Sequence, residues 1–166
     1  MKTAELLGTL SQHNVDFVLV GGMAVQLHGY MRMTYDIDLV LAMNHENLNR
    51  FINVAKNLGF SPVIPVAIES LKDADQIERW YREKGMLAFA LREPTLAGSV
   101  IDVLIRPEVS FDNLLADAVD GELFGRKIKV ASIDHLLIMK RIANRPKDQL
   151  DIIALEKIKL GEDPNA

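Results

Sequence analysis

The sequence predicts an α+β domain: a mixed sheet of four to five strands flanked by helices, with further helices at the C-terminus. Three observations carry that expectation. Short apolar runs such as Phe17–Val20 recur between longer segments whose apolar residues keep helical spacing. Glycine, proline and asparagine punctuate these segments where turns and caps are needed. The 166 residues are 49% apolar and 25% charged, the make-up of an ordinary folded domain. A chain of this size buries roughly 70% of its unfolded surface and can fold alone.

In chain order, Leu6, Leu7 and Leu10 mark a helix over Thr3–His13, with Asn14 as its stop. Phe17-Val18-Leu19-Val20 reads as a short buried strand. Gly21-Gly22 breaks it, and Met23–His28 follows as a helix ended by Gly29. Asp36–Leu41 is the second strand, and Asn44 caps a helix from His45 to Leu58 that ends at Gly59. Pro62 and Pro65 make the next stretch irregular or a sheet edge. Leu71–Lys84 is a charged helix whose single apolar stripe is Ile77, Trp80 and Tyr81. Met86–Leu91 and Ser99–Ile105 read as paired antiparallel strands joined by a loop with Pro94 and Gly98. Ser110–Ala118 is a short helix, and Gly121–Val130 a hairpin or extended arm. Ser132 caps a helix from Ile133 to Asn144. Pro146 opens a last helix to Leu160, because proline is at home in a first helical turn. Residues 1–160 are one domain and Gly161–Ala166 a tail.

Composition excludes several classes. Without cysteine there is no disulfide scaffold, no thiolate zinc site and no cysteine nucleophile. The net charge of −4 does not advertise nucleic-acid binding by the whole chain. The charge is unevenly spread: residues 125–160 hold nine Lys/Arg and four Asp/Glu, whereas residues 1–124 hold ten against seventeen. A field of both signs suits an anionic ligand held with metal ions. Glu5 stands where a signal peptide would start its apolar core, and Phe17–Leu27, interrupted by Gly21, Gly22 and Gln26, is too short to span a bilayer. The expected location is the cytoplasm, with no membrane contact.

Three features carry chemistry. Gly21-Gly22 lies between a strand and a helix, where free N–H groups and the helix dipole favour a phosphate; simple turn chemistry is the commoner reason for such a pair. It is no P-loop, since no Gly-Lys-Ser/Thr follows. Asp36-Ile37-Asp38 opens a strand, and alternation puts both carboxylates on one face, Cα atoms about 6.6 Å apart. Either this is a solvated strand start or a cation lies between the two, and oxygen ligands of this kind suit Mg²⁺. Asp102 stands among aliphatic residues in Val100–Ile105, where an unpaired buried carboxylate is costly. It faces solvent at an edge, or it faces a site. Were its strand beside that of Asp36 and Asp38, three carboxylates would converge as in two-metal sites.

The run Leu19-Val20-Gly21-Gly22, then Asp36-Ile37-Asp38-Leu39, then a later acid on its own strand, resembles the signature of the DNA polymerase β-like nucleotidyltransferase superfamily. Arg32-Met33-Thr34 and the C-terminal run Ser132, Leu136, Lys140-Arg141, Arg145-Pro146-Lys147-Asp148 and Asp151 are similar to small bacterial members related to abortive-infection toxins. The likeness covers residues 15–42, 98–108 and 126–156, about half the chain; residues 60–97 are not diagnostic.

The resemblance implies a nucleotidyltransferase-like sheet and a Mg²⁺- or Mn²⁺-dependent enzyme with two ions. Asp36 and Asp38 would bind both metals, with Asp102 completing the catalytic one and helping to deprotonate an acceptor hydroxyl. Gly21 and Gly22 would cradle the triphosphate of an NTP such as ATP, with Arg32, Thr34 and Lys140 as further nucleotide contacts. For Lys140 the plain alternative is a solvated helix face. Arg32 either contacts phosphate or partners Asp36. Asp148 caps the last helix or pairs with Lys140 or Arg141. The acceptor would be tRNA, a protein or a small molecule. Only about 35 residues follow Val130, so the acceptor-binding part looks largely missing, and a partner protein or a second subunit would supply it. The stripe of Ile77, Trp80 and Tyr81 motivates a homodimer. Competing readings are a nucleotide-binding component of a toxin–antitoxin pair and a glycosyltransferase using Asp-x-Asp.

Overall fold

A computed structural model of the chain describes residues 2–95, 99–123 and 125–166. Its strands are β1 (Phe17–Val20), β2 (Ile37–Leu41), β3 (Ser61–Pro62), β4 (Ala88–Arg92), β5 (Val100–Leu104), β6 (Val119–Leu123) and β7 (Arg126–Val130). They form one mixed sheet in the order β3-β4-β5-β2-β1-β7-β6. The helices are α1 (Lys2–Gln12), α2 (Gly21–Leu27), α3 (His45–Asn57), α4 (Ala74–Lys84), α5 (Phe111–Asp117), α6 (Ile133–Ala143) and α7 (Pro146–Lys159), with a 3₁₀ turn at Ile68–Lys72.

The α+β class stands, but the sheet has seven strands rather than four or five. Two additions account for the difference. The two-residue β3 pairs with β4 through Ser61↔Arg92 and Pro62↔Leu91, and two residues leave no alternation to read in a sequence. The β6–β7 hairpin is mostly polar and exposed, and joins the sheet through a parallel pairing at Leu19↔Val130. That contact lies between positions far apart in the chain.

Local chemistry explains the rest. All four residues of β1 are buried, so this central strand reads as an unbroken apolar run. Asn44 accepts a hydrogen bond from Asn47 N (2.9 Å) to start α3, Ser110 one from Asn113 N (3.2 Å) to start α5, and Ser132 one from His135 N (3.1 Å) to start α6. The Asn47 side chain is fully buried; it accepts from Asp16 N (2.7 Å) and donates to the carbonyls of Asp16 and Ala42 (2.9 Å each), pinning α3 to the start of β1 and the end of β2.

One expectation fails in α4. Ile77 and Trp80 are only 8% and 7% exposed, and the Trp80 ring stacks on Phe89 of β4 at 6.0 Å between centroids. Ile77 and Trp80 are the core-facing side of an amphipathic helix and Tyr81 is half-buried, so the stripe is no exposed patch and gives no reason for a homodimer.

Candidate active site

Register brings the acids together. β2 runs antiparallel to β1 and parallel to β5, with Val20 opposite Asp38 and Asp38 opposite Asp102. Ala90 of β4 lies opposite Asp102 on the other side. The end of β1, which turns into Gly21, therefore lies beside Asp38, and Asp38 beside Asp102. Strands are spaced about 4.8 Å apart, so this row places the two carboxylates near one another at one place on the sheet.

Gly21, Gly22, Arg32, Thr34, Asp36, Asp38, Asp102 and Lys140, drawn from four separate stretches of sequence, all line one cavity of about 690 Å³. It is also lined by Tyr81, Leu87, Ala88, Leu104 and Arg106, with Met139 and Ile142 from α6. Residues 60–97 contribute to that lining although their sequence carried no signal. Apolar residues at ordinary helical or strand spacing look the same whether they line a cleft or a core.

The glycine pair forms the first turn of α2 rather than a linker before it. Gly21 has φ +71°, and a Cβ there would overlap the Asp38 carboxylate. A Cβ at Gly22 would come within 3.2 Å of Thr34 Oγ1 and 3.3 Å of the Arg32 guanidinium. The turn thus lacks side chains because Asp38, Thr34 and Arg32 occupy that space.

Burial, with the negative charges of Asp102 and Asp36 added, pushes the Asp38 carboxyl up to about 6, against the opposing pull of Lys140 and Arg145. Asp102 is also raised, by burial first and by Asp36 second, with Lys147 opposing. Among the described residues, no three His, Asp or Glu side chains by themselves form a metal cage. The donor set nonetheless fits a hard cation. Its ligands are carboxylate oxygens, their mutual repulsion raises the cost of ionisation, and Mg²⁺ ordinarily completes its shell with water and substrate phosphate.

The cationic wall differs from expectation. Lys140 is no solvated residue: it is 6% exposed and its Nζ lies 3.1 Å from Asp148 Oδ1 and 2.9 Å from Asp151 Oδ2. Arg32 pairs with Asp151, not with Asp36. Asp148 plays both roles foreseen for it. Its Oδ2 accepts from the Arg145 backbone N at 3.0 Å and caps α7, while its carboxylate also pairs with Lys140 and with Arg145 Nε at 2.8 Å. Arg141 goes elsewhere, to Glu156 at 2.5 Å. Arg145 and Lys147 line the cavity too, and neither was singled out as a contact from sequence. Their signal was the basic Arg145-Pro146-Lys147 run at the start of α7. Lys147 makes no hydrogen bond or ion pair among the described residues, although its charge acts on Asp102.

No family model and no curated protein matches the sequence. Solved structures do match in shape. The crystal structure of ANT(2")-Ia in complex with adenylyl-2"-tobramycin superposes with a TM-score of 0.61 at 14% identity, over 97% of this chain and 91% of that one. The lincomycin-bound lincosamide antibiotic adenylyltransferase LnuA gives 0.61 at 18% identity, over 95% and 96%. An antigenic nucleotidyltransferase-like protein from Paracoccidioides brasiliensis gives 0.57 at 21% identity, over 93% and 74%. The chain has a nucleotidyltransferase fold. The nucleotidyltransferase folds of ANT(2")-Ia and LnuA are matched nearly end to end. Among the described residues, no helix of this nucleotidyltransferase fold is long and apolar enough to cross a membrane.

Proposed function

We propose that the chain transfers a nucleoside monophosphate from an NTP to a hydroxyl of an acceptor and releases pyrophosphate. The observation that carries this reading is the pairing of Asp38 with Asp102 on adjacent parallel strands, beside the Gly21 turn and in a cavity that Arg32, Lys140, Arg145 and Lys147 also line. Asp36, Asp38 and Asp102 would hold Mg²⁺ or Mn²⁺, which neutralises charge developing on the phosphate oxygens. The acceptor oxygen forms a bond to the α-phosphorus as the bond from that phosphorus to the α–β bridging oxygen breaks. The electron pair leaves with pyrophosphate, and the hydroxyl proton passes to a carboxylate, for which Asp102 is the candidate.

The layout supports a division of the cavity. Gly21, Gly22, Arg145 and Lys147, which line the cavity with the acids, would take the triphosphate. Ala88 of β4 pairs with Leu104, two residues beyond Asp102 on β5, and these two with Leu87 would receive the acceptor. Lys147, with no hydrogen bond or ion pair among the described residues, is the candidate phosphate contact, and Lys140, shared between two acids, a fixed charge. No protein nucleophile is required, which accords with a chain lacking cysteine.

Calorimetry tests the reading. The wild-type chain binds an NTP only with Mg²⁺ or Mn²⁺, and Asp36→Asn combined with Asp38→Asn abolishes that metal dependence. Equal metal-dependent binding by both proteins would falsify the site. Incubation with labelled NTPs and cell extract then shows whether label enters RNA, protein or small molecules.

A further inference from the structure

Four cations (Arg32, Lys140, Arg145 and Lys147) and three carboxylates (Asp36, Asp38 and Asp102) line the same cavity. Lysine and arginine side chains are long and flexible, and in a half-buried cleft unlike charges attract strongly. Left alone, such a set would collapse into ion pairs. Three of the four cations are held off the acids: Arg32, Lys140 and Arg145 each pair with Asp148 or Asp151 instead, and Lys147 is outside that arrangement. Those two acids are 0% and 1% exposed, stand in the first turns of α7, and do not line the cavity.

We propose that Asp148 and Asp151 are positioning residues that hold Arg32, Lys140 and Arg145 apart from Asp36, Asp38 and Asp102, keeping both sets of charges available in one cavity. Stability alone does not account for the arrangement. A buried ion cluster is usually no more stabilising than apolar residues of the same volume, because desolvation offsets the attraction. The geometry speaks for segregation. Asp151 takes one cation from α6 and one from the segment between α2 and β2, four residues before Asp36. Asp148 takes Lys140 together with the side chain and backbone of Arg145. Lys140 and Arg145 remain near enough for their charges to act on Asp38, yet neither pairs with it. A carboxylate row left free can accept a divalent cation, and the cations held opposite can face phosphate. This assignment rests on the nucleotidyl-transfer reading only for the purpose of the segregation.

The test uses Asp151→Asn, which releases Arg32 while Lys140 stays on Asp148. Mn²⁺ alone is titrated against each protein and followed by electron paramagnetic resonance, and the variant's crystal structure is solved. The freed Arg32 guanidinium is expected against Asp36 or Asp38, with Mn²⁺ affinity lowered about tenfold. Asp151→Asn combined with Arg32→Gln removes the competing cation, and affinity returns to within about threefold of wild type. A lost structural support would not be rescued by removing a second side chain. Unchanged Mn²⁺ affinity in the single variant, or a double variant no better than the single, overturns the proposal. Should the wild-type chain bind no Mn²⁺, the nucleotidyl-transfer reading fails. The crystal structure then decides segregation separately: Arg32 found against Asp36 or Asp38 upholds it, and Arg32 still beside position 151 or out in solvent overturns it. If Asp151→Asn does not fold, Asp148→Asn with and without Arg145→Gln puts the same question to Arg145.

Discussion

Asp38 is the residue on which the site's forces meet. It is half-buried between β1 and β5, it faces Asp102 across the ladder, and its carboxylate fills the space beside Gly21. In the metal-free chain its carboxyl titrates near 6, as carboxyl NMR can follow; Asp102→Asn lowers that value by removing one negative neighbour. A titration near 3.8 would contradict the crowding described here. Gly21 carries the complementary constraint. Gly21→Ala places a side chain both in the left-handed region and on Asp38, so a loss of about 1–3 kcal/mol is expected in urea denaturation. An unchanged midpoint would show that the turn relaxes freely. The sequence put a glycine pair and an Asp-x-Asp together as candidates, and they do line one cavity. That Gly21 is glycine because Asp38 lies against it was not, since the two are separated by a whole helix and loop.

At the scale of elements, α7 is the clearest case of a helix doing more than packing. Its proline start and its cap were readable from Pro146 and Asp148. The second duty of that first turn, tying Arg32, Lys140 and Arg145, depends on α6 and the segment before β2 folding against it. Burial acts to raise the Asp148 carboxyl, but hydrogen bonds from the Arg145 side chain and backbone and from Lys140 outweigh it and hold the carboxyl at about 2. The sign follows directly. With a folded value below the unfolded value near 3.9, the unfolded chain binds more protons between the two, so this contribution is present above about pH 4 and is lost as pH falls toward 2. Denaturation midpoints recorded across that range should fall for wild type and fall less for Asp148→Asn. Identical acid limbs would deny Asp148 this role. The α4 helix gives the opposite lesson. Its apolar stripe was correctly seen, but exposure is decided by what packs on it, and β4 supplies Phe89 for Trp80 to stack on.

The whole molecule is one sheet with one contiguous core on which Phe51, Phe89, Leu19 and Ile101 are completely buried. Phe89→Ala opens a cavity under the Trp80 stack and should cost about 3–5 kcal/mol in chemical denaturation, a large part of what a domain of this size commands. A loss under about 1 kcal/mol would mean that α4 closes over the gap. Of the nine Lys/Arg in residues 125–160, only Lys140, Arg145 and Lys147 reach the cavity. The basic segment therefore does not face the cavity as a whole; Lys129 pairs with Asp120 on the hairpin, and Lys159 with Asp134 on the surface. By itself the sequence determined the α+β class, most element positions, the caps and the acids at 36, 38 and 102, because periodicity, turn chemistry and motif spacing are local properties. The tertiary structure decided the seven-strand order, the apolar wall of the cavity, and which cations are spent on Asp148 and Asp151. Those outcomes depend on strand register and on charges brought together from distant parts of the chain, and neither leaves a local trace.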